Sequence, residues 1–88
     1  MKDYEWNEEF GTQKANVRAW LLKGNAITQL EALRRFGSLR LSAIIFDLRE
    51  EGLPIITEKL QVSPRKRVAN YYLPKDYLES LTNNKNQL

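Results

Sequence analysis

Arg65, Lys66 and Arg67 stand consecutively in the segment "SPRKR" (63–67), with Lys59 six residues before the first of them. The chemistry open to such a cluster is electrostatic. Several cations at one point attract an anion, and phosphate is the usual one. A second ionisable group is Asp47, Glu50 and Glu51, which share part of one helical turn beside Arg49. Without a histidine they make a poor metal site and read as a solvated face. The chain holds no His and no Cys. That removes Cys/His zinc sites, cysteine nucleophiles, Ser-His and Cys-His pairs and histidine acid–base work. Catalysis would have to rest on carboxylates, lysine or tyrosine. The expectation is therefore a protein that is no enzyme and needs neither cofactor nor metal.

The elements that must position these cations belong to one small domain, since 88 residues bury a single core with little stability to spare. The composition is 42% hydrophobic and 28% charged, with no apolar run near the roughly 20 residues of a membrane helix. "MKDYEWNEEF" puts acidic and aromatic residues where a signal peptide has basic and then apolar ones, so a cytoplasmic location is expected. Charge is divided unevenly along the chain. Residues 1–10 carry four acids against Lys2, a balance of −3, and residues 11–88 carry 13 bases against 7 acids, or +6. A basic body suits an anionic partner, with nucleic acid the first candidate.

Patterning divides the chain into an acidic leader over 1–10, a folded domain over 11–74 and a short helix with a tail over 75–88. Thr12 can cap a first helix over about 13–23, with Val17, Trp20, Leu21 and Ala15 on one side and Gly24–Asn25 as its stop. "TQLE" (28–31) reads as a capping box that opens a second helix over about 29–36, with Leu30 and Leu33 expected inside and Gly37 at its end. Ser38 then stands where a new cap would be, and a third helix is expected over about 39–51. Its Leu41, Ile44, Ile45 and Leu48 fall at i, i+3, i+4 and i+7, a core-facing stripe. Beyond Gly52 the period changes to two. "IITEKLQV" (55–62) and "RVANYYL" (67–73) read as strands joined by "SPRK", with one tyrosine of Tyr71–Tyr72 facing inward. "KDYLESL" suits one or two helical turns, and "TNNKNQL" a frayed tail.

The segment "SAIIFDLREEGLP" (42–54) resembles the recognition-helix region of the multiple-antibiotic-resistance-regulator class. More broadly, "ITQLEALRRFGSLRLSAIIFDLREEGLPI" is similar to the small helix-turn-helix domains of phage and prophage proteins, a likeness that covers roughly residues 12–73. One feature differs from the common motif. Gly37 follows Ala32 by five residues rather than four, with Phe36 at the usual glycine position. The resemblance implies an α+β winged helix-turn-helix domain, three helices followed by a two-stranded β-hairpin wing. It also implies double-stranded DNA as the partner, and a setting in bacterial or phage transcription control or accessory DNA binding.

On that reading Arg40, Ser42, Ala43, Phe46 and Asp47 occupy the face of the third helix offered to the major groove. Arg40 suits a fork to guanine, Ser42 a phosphate or base edge, and Ala43 or Phe46 a thymine methyl. Asp47 needs a cytosine amino group or an arginine to be tolerated there. Lys59, Arg65, Lys66 and Arg67 form the phosphate-contacting wing, and Thr28 and Gln29 meet the backbone from the start of the second helix. Each position has a plainer alternative. Phe46 can pack on the hairpin or a partner, Arg40, Arg34 and Arg35 can be solvated, Thr28 can be only a cap, and the wing cations can guard a strand edge. The rival function is a winged-helix protein–protein interaction module, favoured by Asp47, Glu50, Phe46 and the acidic leader. Tyr77, Leu78 and Leu81 leave a homodimer open.

Overall fold

The computed structural model describes the backbone of residues 3–86 and the side chains of residues 11–82. Seven elements follow in order: α1 (Asp3–Leu22), β1 (Ile27–Thr28), α2 (Gln29–Phe36), α3 (Leu41–Glu50), β2 (Ile56–Ser63), β3 (Lys66–Tyr72) and α4 (Lys75–Asn86). The three strands form one antiparallel sheet in the order β1-β3-β2. This is the expected α+β winged arrangement, with one addition. Ile27 and Thr28 pair with Tyr71 and Asn70, which makes the hairpin part of a three-stranded sheet. Two residues carry no readable period, so only tertiary pairing defines β1.

The core is the convergence of four short apolar stripes. Val17 and Leu21 come from α1, Ala32 from α2, Leu41, Ile44, Ile45 and Leu48 from α3, and Ile27, Ile55 and Leu73 from the sheet and its flanks. The α3 stripe is buried as its spacing predicts. Leu30 and Leu33 are not: they stay 54% and 41% exposed, and the inner face of α2 is filled by buried Ala32 with Phe36 packed partly against the core. Between α1 and α3 the fully buried position of α2 falls to the small Ala32. Ala15 is also exposed, while Trp20 is half-buried against the core.

Helix ends depart from expectation in instructive ways. α1 runs unbroken through Thr12, so that residue is no cap; the side chains of the acidic leader, residues 1–10, lie outside the described residues. Thr28 does cap α2, its Oγ1 accepting from Glu31 N at 3.3 Å. Glu31 turns its carboxylate to Arg35 Nε (3.2 Å). Gly37 takes the left-handed conformation (φ 67°) that a Cβ would strain, and so ends α2. α3 starts two residues late, at Leu41. Ser38 is buried and accepts from Arg40 N (3.1 Å), making a tight turn rather than a cap. At the other end Gly52 (φ 106°) and the Leu53 N→Leu48 O bond close α3 in a Schellman turn. α4 extends to Asn86, well beyond the one or two turns expected.

Candidate nucleic-acid interface

Gln29 ties the second and third helices together. Its amide nitrogen donates to Ser38 O at 2.7 Å, and its amide oxygen accepts from Leu41 N at 3.1 Å. Leu41 N–H is one of the donors that a helix start leaves unmade, so α2 caps α3 from outside. Gln13 adds a donation from α1 to Gly37 O at 3.2 Å. The α2–α3 turn is thereby held at three points, and the first turn of α3 projects from a fixed base.

Arg49 anchors the wing. Its guanidinium donates to Ile55 O through Nε (3.1 Å) and Nη2 (2.8 Å), and to Thr57 Oγ1 (2.8 Å). A planar fork suits two such acceptors on one strand root, and it couples the end of α3 to the direction of β2. From that root the strands pair through Lys59↔Ala69, Leu60↔Val68 and Gln61↔Arg67. After an irregularity at Val62 they close at Ser63↔Lys66. The tip is thus the two residues Pro64 and Arg65, tighter than the four-residue "SPRK" connector expected from the sequence.

The wing cations stand as follows. Arg65 is on the tip, Lys66 and Arg67 begin β3, and Lys59 lies further down β2; all four are exposed and none makes an ion pair among the described residues. The acids of the helical body are better matched. Lys14 Nζ lies 2.6 Å from Glu51 Oε2 and 3.8 Å from Asp47 Oδ2, and Arg18 also donates to Glu51. Hydrogen bonds from Lys14 and Arg18 hold the Glu51 carboxyl below its ordinary range. Positive charge is therefore left uncompensated at the wing and largely neutralised between α1 and α3.

On α3 the proposed contact residues divide by direction. Asp47 faces the Lys14 side of α1, away from the wing. Ser42 lines a groove of about 580 Å3 between α2, α3 and the hairpin, together with Thr28, Gln29 and Lys66. Ala43 is half-buried, and Phe46 is 63% exposed. Arg40 is exposed at the N-cap position. The outermost line of α3 and its lead-in, by helical spacing, is Leu39, Ala43, Phe46 and Glu50. Four of the predicted residues thus share the groove, with Lys66 among them, and Asp47 belongs to another surface.

Three features were not foreseen from the sequence. One is the Arg49 clamp. Another is Arg35, expected to be solvated, which stacks 4.3 Å from the Trp20 ring centroid while Phe36 meets that ring edge-on. The third is the apolar wall of the groove, where Leu30 and Leu33 of α2 oppose Leu60, Val62 and Val68 of the wing. Period-two alternation in "KLQV" marks a strand; that Val62 stays largely exposed opposite α2 depends on tertiary placement.

Among the described residues no group of His, Cys, Asp and Glu has the arrangement to hold a metal ion, and no helix is long and apolar enough to cross a membrane. Residues 12–76 match the family model of a winged helix-turn-helix domain. No curated protein and no solved structure matches the chain.

Proposed function

The chain belongs to the winged helix-turn-helix family, a DNA-binding module in general, and from that premise we propose that it binds double-stranded DNA sequence-specifically. The role would be that of a small bacterial or phage transcription regulator or accessory DNA-binding factor. The observation that carries this reading is the set of four exposed wing cations, Lys59, Arg65, Lys66 and Arg67, without ion-pair partners among the described residues, beside a rigidly based α3. Phosphate contacts from the wing supply affinity. Arg40, Ser42, Ala43 and Phe46 supply readout, and the Thr28–Gln29 start of α2 abuts the backbone. Gln29 acts chiefly by positioning, since both atoms of its amide are already engaged. The reading involves no chemistry, and fits a cytoplasmic protein.

Fluorescence anisotropy with a random-sequence duplex across a salt series tests it. Binding should weaken with a log–log slope of about −3 to −5, since each phosphate contact contributes about 0.9. Replacing Arg65, Lys66 and Arg67 together by Ala should reduce that slope by roughly 2 to 3 on the same basis. An unchanged slope would remove the wing from the interface. No binding at low salt would sink the DNA reading.

One observation favours the alternative of a protein-interaction module. The outermost side chains along α3 are Leu39, 74% exposed, and Phe46, followed by Glu50. Two apolar groups and an acid suit a protein surface better than a phosphate-lined groove. Phe46→Ala distinguishes the two readings: thymine-methyl contact predicts a loss confined to selected sites, and a protein partner predicts no change in DNA binding.

A further inference from the structure

The groove between α2 and the wing is an open apolar slot with a basic margin. Leu30, Leu33, Leu60, Val62 and Val68 line it, and Lys66 stands at its wing end. Leu30 and Val62 remain 54% and 57% exposed. Arg34, four residues beyond Leu30 on α2, is also exposed and makes no ion pair among the described residues. Such a slot suits an occupant that brings aromatic side chains for the wall and acids for the margin.

The chain itself contains that occupant. Residues 1–10, "MKDYEWNEEF", hold three aromatics and four acids against one lysine. Trp6 and Phe10 are four residues apart, the separation that places two side chains on one face of a helix. From Asp3 onward the backbone of this segment is helical, being the first turns of α1.

The segment cannot reach its own groove as α1 stands. α1 is continuous from Asp3 to Leu22, and among its described side chains the buried positions begin at Gln13. At about 1.5 Å per residue, Asp3 lies roughly 15 Å beyond Gln13 along the helix axis. Folding back would break the helix. A second copy has no such constraint, and a two-fold pair would place each N-terminal segment in the other copy's groove.

We propose that the acidic, aromatic first turns of α1 dock into the α2–wing groove of a second copy of this chain. Trp6 and Phe10 cover the Leu30, Leu33 and Val62 wall, and Glu9, beside that face by helical spacing, meets the Lys66–Arg34 margin. The pair uses Lys66, so it competes with DNA on the reading above, but its existence does not depend on that reading.

The test needs no DNA. Light scattering coupled to size exclusion, run on the full chain over a concentration series, should show a monomer–dimer equilibrium that weakens with salt. Trp6→Ala with Phe10→Ala should weaken association by about tenfold or more, as loss of buried aromatic anchors does. Circular dichroism confirms that this variant keeps its fold. Leu30→Glu with Val62→Glu should weaken it similarly, with circular dichroism confirming the fold. An equimolar mixture of the two variants retains one intact segment and one intact groove, and should form a mixed pair that neither forms alone. A monomer at every concentration overturns the proposal. So does an association untouched by the Trp6 and Phe10 replacements, or a mixture that restores nothing.

Discussion

Gln29 shows how much one side chain settles at the scale of a residue. Its amide spans the α2–α3 turn, donating to Ser38 O and accepting from Leu41 N. Gln29→Leu leaves both backbone groups unpaired in a part-buried setting and should cost about 1–3 kcal/mol in urea unfolding. Gln29→Glu keeps the acceptor for Leu41 N and loses the donor to Ser38 O, so it should fall between Leu and wild type. Equal losses for the two variants would deny the amide its capping role. Glu51 gives a pH prediction. Its carboxyl is held below its ordinary value of 4.5 by hydrogen bonds from Lys14 and Arg18. A group with a lowered folded pKa stabilises the fold above its unfolded value, and that contribution disappears as pH falls through the folded one. Stability should therefore drop on acidification below about pH 4.5, and Glu51→Gln should flatten that part of the curve. The pair is solvent-exposed, so the effect should also fade in high salt.

The wing and α3 act as one unit at the scale of elements because Arg49 joins them. Arg49→Lys keeps the charge but has no planar fork to reach Ile55 O twice and Thr57 Oγ1 once. Amide exchange at Ile56 and Thr57 should quicken while α3 stays protected, and DNA affinity should fall more than stability does. If exchange is unchanged, the wing is held by sheet pairing alone. The elements themselves were largely legible in the sequence. The α3 stripe, the Thr28 cap, the Gly37 and Gly52 stops and the two hairpin strands follow from spacing and local chemistry. The misses share one cause. Leu30 and Leu33 sit at helical spacing that reads as inward, yet the small Ala32 is what the crossing with α1 and α3 admits. Thr12 has the chemistry of a cap, and nothing local reveals that helix continues on both sides of it. Ser38 also looks like a cap, until the Gln29 amide takes that role from another helix. β1 exists only because β3 lies beside it. For the site, the wing cations were legible as a run of charge. The direction of Asp47 was not, because it depends on where Lys14 arrives.

At the scale of the whole molecule the chain is extended and electrically polar. Its radius of gyration is 14.5 Å and its extents are 46 × 41 × 21 Å, against about 12 Å expected for a compact domain of this length. The excess comes from α1 and the hairpin, two elements that reach beyond a small core. Charge follows the same division, with −3 on residues 1–10 and +6 on the rest. An approaching duplex therefore meets a positive wing on a molecule that carries a negative arm. Removing residues 1–10 should raise affinity for random duplex at low salt, because it deletes the repulsive end of that dipole. The gain should shrink once the Debye length falls to about 8–10 Å near physiological ionic strength. Two origins of the gain separate by concentration. Simple repulsion acts on each molecule alone, so the ratio of truncated to full-length affinity stays fixed as protein is diluted. Docking between copies blocks Lys66 only in the pair, so the ratio rises with protein concentration and returns towards the repulsion value on dilution. Anisotropy titrations of both proteins at two duplex concentrations and two salts read all of these cases. Equal affinity of the two proteins at low salt would show that the arm bears on neither the field nor the groove.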